Sequence, residues 1–358
     1  MNGRVVGLTL VLLFAACTGA GDPVERPDLG DGDTPATTVS GATGGKGPDN
    51  DAQVLDPAGS DIYRVDPATG EIEQLLSSGE EGLDEPELSP DGSRLVYQGE
   101  APDGTTQIFV LEDGRTRQLT DLPGGALEPT WSPDGSQIAF AGRIKAGVGS
   151  RGSAFTFLDG YVGNTHILVM DADGGHVRSL VATPRADRRP DWSPDGSRIV
   201  FDTGAWIWVV PVNDVEHARR LNPAIRINHG PAADPAWSPD GQWIAFTRFS
   251  TGSMNGEIGF GALWLMRPDG TSEHRLFPSK TPYGTYELDP SWSPDASAIA
   301  FSSGDASKIA IVDVRTGEIG HLDSITDATD LSWDGRGILV SMGSLARPSP
   351  DPWPGGEG

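Results

Sequence analysis

One thirteen-residue pattern returns along the chain: EPELSPDGSRLVY ending at Tyr97, EPTWSPDGSQIAF at Phe140, RPDWSPDGSRIVF at Phe201, DPAWSPDGQWIAF at Phe246 and DPSWSPDASAIAF at Phe301. A sixth, degenerate copy, ATDLSWDGRGILV, ends at Val340 and aligns with Trp333 at the Pro position and Leu331 where Trp usually stands. A catalytic centre occurs once; a pattern that recurs at this spacing is a structural repeat. Its centre is turn chemistry. Pro presets φ at the second turn position, Asp bonds nearby amides, and Gly accepts a positive φ. Apolar alternation on both sides then makes an antiparallel hairpin, with Trp on its first strand and an Ile-Ala-Phe run on its second. Ala296 replaces the turn Gly in the fifth copy, at a cost of about 1 kcal/mol if its φ is positive.

A second hairpin alternates with the first, also six times. Its leading strands begin at Asp61, Ile108, Ile167, Ile207, Leu263 and Ile309, and the partner strands end near Leu75, Leu119, Leu180, Leu221, Leu276 and Leu322. Gly at 48 and Pro at 29 residues fit many short strands and tight turns better than long helices. The chain is therefore predicted to be all-β: four-stranded sheets repeated at WD40-like spacing, forming a six-bladed β-propeller. It opens on a hairpin of the second kind and closes on one of the first, so one blade should combine strands from both ends and close the ring.

The Trp-Ser-Pro-Asp-Gly signature, over residues 55–343, resembles the TolB-like propeller family. The resemblance implies a six-bladed ring with a binding role, although a tether stands here where that family carries a globular domain. The propeller is also similar to the non-catalytic half of prolyl oligopeptidases; no hydrolase domain is expected with it.

Residues 1–17, MNGRVVGLTLVLLFAAC, read as a signal peptide with Arg4 in its charged region and a short apolar stretch. Leu13 to Cys17 resembles a bacterial lipobox, which implies lipidation of Cys17 and a membrane anchor; an ordinary secretory signal is the alternative. Residues 18–54 are an acidic Gly/Pro-rich tether and 344–358 a similar tail, both too poor in apolar residues to form a core. Within the tether, GATGGKG lacks the spacing of a phosphate loop. With a single Cys the fold stands without internal disulfides, and a formal charge of −25 argues against nucleic acid as a partner. A monomer is expected.

In such a ring the Ser-Pro-Asp-Gly turns share one face, while second-to-third-strand and blade-to-blade connections share the other. All long connections fall on that second face, where function is expected. Its candidate binding residues are Arg143, Lys145, Arg151, Phe155, Phe157 and Tyr161, then Phe249 and Phe260, then Tyr283 and Tyr286. Aromatic and Arg side chains suit a recognition surface, or they pack on each other. Glu85, Glu128, Asp234 and Asp289 should ring the channel mouth on this face, interrupted by Arg189. Such a ring could hold Ca²⁺ through its hard oxygens; no other cofactor is expected.

No Gly-x-Ser-x-Gly elbow is present, and only His166 and His229 fall on the long-connection face. Asp171-Ala172-Asp173-Gly174 is a turn, since the later ligands of a calcium loop are missing. The expected function is a non-catalytic, extracytoplasmic, lipid-anchored propeller that binds an envelope protein or polymer. The alternative is a glycan-acting, lyase-type enzyme at the channel mouth.

Overall fold

A computed structural model describes residues 61–77, 83–143, 165–181, 183, 185–222, 230–249, 261–276, 287–303, 308–322 and 328–342. Cys17, the predicted tether and the tail lie outside them. The chain opens with β1 (Asp61–Val65) and β2 (Ile72–Ser77). Blade I follows as β3 (Asp84–Leu88), β4 (Arg94–Glu100), β5 (Thr106–Glu112) and β6 (Arg115–Gln118), and blade II as β7 (Ala126–Trp131), β8 (Gln137–Gly142), β9 (His166–Asp171) and β10 (Arg178–Val181). Blade III is β11 (Arg188–Trp192), β12 (Arg198–Asp202), β13 (Ile207–Pro211) and β14 (Arg219–Arg220). Blade IV is β15 (Ala232–Trp237), β16 (Ile244–Phe249), β17 (Gly261–Met266) and β18 (His274–Arg275), and blade V is β19 (Glu287–Trp292), β20 (Ala298–Ser303), β21 (Lys308–Asp313) and β22 (Ile319–Leu322). Finally β23 (Ala328–Asp334) and β24 (Gly337–Met342) join β1 and β2 in the sheet order β2-β1-β24-β23, which is blade VI.

Six four-stranded antiparallel sheets thus form the predicted six-bladed propeller, and the ring closes as expected, with Asp61 paired to Met342 and Val65 to Ile338. Among the described residues the helical structure is one short 3-10 turn at Val215–His217, and no helix is long and apolar enough to cross a membrane.

Hydrophobic alternation explains where the core sits. Along β8, Ile138 and Phe140 pack toward blade I, against Val96, Ile108 and Val110, while Ala139 between them packs toward blade III, against Ile199 and Phe201. A period of two feeds two neighbouring cores at once. One such layer lies at each of the six junctions, including Ile62 and Leu339 of blade VI against Leu95 and Tyr97 of blade I. Trp131, Trp192, Trp237 and Trp292 are each at most 5% exposed in these layers.

The repeat builds the turn that the sequence predicts. In blade II the Ser132 hydroxyl donates to Asp134 at 2.7 Å and accepts the Gln137 amide at 2.9 Å; the Asp134 carboxylate accepts the Ser136 amide at 3.0 Å. Ser89 and Ser193 make the same relay, and their bonds together with those of Ser93 and Ser197 hold Asp91 and Asp195 down at about 2. Ala296 has φ 59°, within ten degrees or so of the four glycines at its position, so the expected strain is present.

The sixth copy is in a different register from the one its Ser-Trp-Asp-Gly string suggests. Trp333 pairs with Ile338 as Trp131 pairs with Ile138, so Trp333 occupies the regular Trp position. The turn after it is tighter: Asp334 pairs directly with Gly337, and the Asp334 side chain accepts the Arg336 and Gly337 amides.

Candidate functional site

Each innermost strand breaks register at the same place, between Asp84 and Glu87, Leu127 and Thr130, Arg188 and Asp191, Ala233 and Ala236, Leu288 and Ser291, and Thr329 and Ser332. Inside each bulge one residue adopts a left-handed φ between 47° and 55°: Glu85, Glu128, Arg189, Asp234, Asp289 and Asp330. None is Gly, and in five blades a Pro follows. Backbone of this kind costs roughly 1 kcal/mol or more per residue, and such strain gathers at functional sites. All six residues line one channel of about 280 Å³ at the ring axis.

The expected ring of Glu85, Glu128, Asp234 and Asp289 is therefore present, and Asp330 completes it. Sequence alignment missed Asp330 because the sixth copy was matched on its turn. Matching on Trp, which stands three residues downstream of the ring member in every blade but the first, where Leu88 stands, finds it.

Arg189 bridges the ring instead of merely interrupting it. Its guanidinium stands 2.5 Å from Asp289, 2.9 Å from Asp234, 3.5 Å from Glu85 and 3.9 Å from Glu128. The Arg189 amide also donates to Glu128 at 2.7 Å, and Arg188 pairs with the other Glu128 oxygen at 2.6 Å. Burial alone would lower the Arg189 pKa; Asp289, Asp234, Glu85 and Glu128 outweigh it and push it well above the ordinary value. The residues present do not fit a Ca²⁺ ion at Glu85, Glu128, Asp234 and Asp289. A cationic side chain already stands within bonding distance of these carboxylates, and no cluster of three metal-ligating side chains suited to an ion exists among the described residues.

A second acidic tier lies one step deeper. Glu87 accepts the Trp131 amide of the next blade at 3.3 Å, and Asp191 accepts that of Trp237 at 2.5 Å; in blade V the Ser291 hydroxyl accepts that of Trp333 at 2.8 Å. An innermost strand is a sheet edge, so these bonds satisfy donors that its own sheet leaves open. Burial, with a nearby Asp191 charge, raises Glu87 to about 8, and burial raises Asp191 to about 7. Burial likewise raises Asp234 to about 7 despite Arg189, and Glu85 goes well above the ordinary range through burial and Asp330. The channel thus sets carboxyls less acidic than free ones around one guanidinium. Among its described lining residues are no His, Lys or Cys.

Beside the mouth, between blades II and III, Asp187 is wholly buried and raised to about 7 by that burial; His166 Nδ1 stands 3.9 Å from it, and burial lowers the His166 pKa.

Of the other predicted binding residues, Arg143 directly follows β8 and is half-buried beside Gly124, its amide donating to the Gly125 carbonyl at 3.2 Å. Phe249 is a correction. Expected on a protruding loop, it is the last residue of β16, 4% exposed, with its amide bonded to the Pro231 carbonyl, because β16 runs longer than the repeat suggests. Lys145, Arg151, Phe155, Phe157, Tyr161, Phe260, Tyr283, Tyr286 and His229 lie outside the described residues.

The chain matches no protein-family model. It is 29% identical over 169 residues to a TolB homologue of Chlorobium luteolum, covering 47% of this chain and 36% of that protein. In three curated relatives the match spans less than half of their own length. Among solved structures, a TolB candidate from Agrobacterium tumefaciens has a TM-score of 0.58 at 21% identity, over 79% of this chain and 96% of that one. An oligogalacturonate lyase from Vibrio parahaemolyticus has 0.54 at 13%, over 80% and 84%. At such identities the likeness is one of fold.

Proposed function

The chain folds as a TolB-like six-bladed β-propeller, and we propose that it serves as a non-catalytic binding module outside the cytoplasm, tethered to a membrane through a lipidated Cys17. It recognises an envelope protein or polymer across the face on which the long connections lie. The observation that carries this reading is Arg189. Its guanidinium reaches carboxylates of blades I, II, IV and V, placing a cation already paired with them at the axis where a substrate would have to enter. What remains is a rigid rim, built from strained backbone and internally neutralised charge, suited to docking a ligand over the mouth. The described channel lining offers carboxylates and hydroxyls but no activated nucleophile.

A lyase-type reading has one observation in its favour, the His166–Asp187 pair beside the mouth. A single design separates the two. Wild-type chain and a variant with residues 144–163 shortened are immobilised and challenged with envelope extract, and both are assayed on acidic polysaccharides with added divalent metal. The binding reading expects partners held by the wild type and lost by the shortened chain, with no turnover. Unchanged partners, or turnover abolished by His166→Ala, would overturn it.

A further inference from the structure

We propose that blade III carries a separate site for an anionic polymer, read through its carboxylate or phosphate groups, at Arg185, Trp206 and Arg220. The Trp206 indole carries two guanidinia, that of Arg185 at 4.7 Å and that of Arg220 at 5.2 Å from the ring centroid. Both arginines are exposed, and among the described residues neither meets a carboxylate. A guanidinium that stacks on an aromatic face spends its π surface there and leaves its in-plane N–H fork open for a carboxylate or phosphate.

Hydrogen bonds hold the supports. Trp206 ends the tight connection from β12 to β13, where the Thr203 amide donates to the Trp206 carbonyl at 3.1 Å and the Gly204 amide to Asp202 at 2.7 Å. The Arg185 amide donates to the Thr183 hydroxyl at 3.2 Å, and that hydroxyl donates to the wholly buried Asp187 at 2.5 Å. Asp187 is fixed in turn, its amide on the Thr165 carbonyl at 3.1 Å and its carbonyl accepting the Thr165 hydroxyl at 2.7 Å. Arg220 comes from the outer strand β14 of the same blade.

Charge points the same way. Residues 178–220 hold seven Arg against six Asp and Glu, in a chain whose net charge is −25. An anionic chain is repelled by most of this protein and least by this nearly neutral stretch, in which Arg188 and Arg189 are already paired with ring carboxylates while Arg185 and Arg220 stand exposed. One exposed ion pair alone is worth at most about fivefold in binding. Two forks on one indole, within about 10 Å of each other, engage successive anionic groups, and the second contact is then intramolecular. A polymer gains from this arrangement where a free ion does not.

This inference shares the long-connection side with the proposed function, and the two fail separately, since polyanion binding that survives shortening of residues 144–163 leaves this site standing. The test titrates the purified chain at low salt with alginate, inorganic polyphosphate and uncharged dextran, following gel retardation and Trp fluorescence. The wild type is expected to bind a polyanion and not dextran; alginate alone assigns carboxylates, polyphosphate alone phosphates. The Arg185→Gln/Arg220→Gln pair should weaken binding about tenfold or more. Trp206→Phe should keep it within about threefold and Trp206→Leu should lose it, since a ring face and not bulk orients the forks. Arg115→Gln, at an exposed position on the other face, should change nothing. No polyanion binding, equal loss in Arg115→Gln, or full binding by a folded Trp206→Leu chain would overturn the site.

Discussion

Replacing Arg189 by Gln tests whether the channel is held together by its own cation. The guanidinium meets four carboxylates at 2.5, 2.9, 3.5 and 3.9 Å. A unit-charge pair at 4 Å is worth about 4 kcal/mol near a protein surface, so the gross attraction is on the order of 15 kcal/mol. Most of that repays the cost of drying the charges. Removing one partner of such a buried arrangement costs about 3–5 kcal/mol, because the remaining charges stay buried without compensation. The cost must depend on pH. Asp234 at about 7 and Glu85 well above its ordinary value already exceed their unfolded values, and losing the cation raises them further. A carboxylate whose folded pKa is raised binds its proton in the native state first, so stability falls as pH rises from about 4 toward the folded value, by about 1.4 kcal/mol per pH unit for each extra proton. Urea unfolding followed by Trp fluorescence should therefore show the variant losing about 3–5 kcal/mol at pH 8 and clearly less at pH 5, with an unchanged denaturant slope. A loss below about 1 kcal/mol at pH 8, or an equal loss at both pH values, would refute the reasoning.

Two further outcomes follow from the repeat itself. Ala296→Gly should raise stability by about 1 kcal/mol, seen as a higher unfolding midpoint, because φ 59° suits Gly and strains Ala. Trp237→Ala should cost about 3–5 kcal/mol in the same assay, since the indole is 5% exposed among Ile244, Phe246 and Met266 at the junction of blades III and IV.

The ring was legible because each blade repeats two local rules, a turn that needs Pro, Asp and Gly and strands that alternate. Ring closure followed from counting hairpins, and four ring carboxylates from their place just before the first strand of each repeat. Asp330 was hidden because its blade keeps the Trp and alters the turn, so alignment followed the wrong landmark. Arg189 was visible as an exception, but its role depends on distances to four other blades that no local pattern encodes. Glu87 and Asp191 passed as ordinary strand residues, since alternation does not tell an axial channel from bulk solvent. Phe249 failed for a related reason: the length of β16 is set by its pairing with Gly261, beyond the repeat that defines its start.

Blade VI is the last to be completed in time as well as in space. Asp61 can find Met342 only when nearly the whole propeller has left the ribosome, and until then β1 lacks its β24 partner. Pairing at such sequence distance is slow, and exposed edges are where nascent chains aggregate. Substitutions along β1 or β24 are therefore expected to lower the yield of soluble protein before they alter anything measured on the molecules that do close.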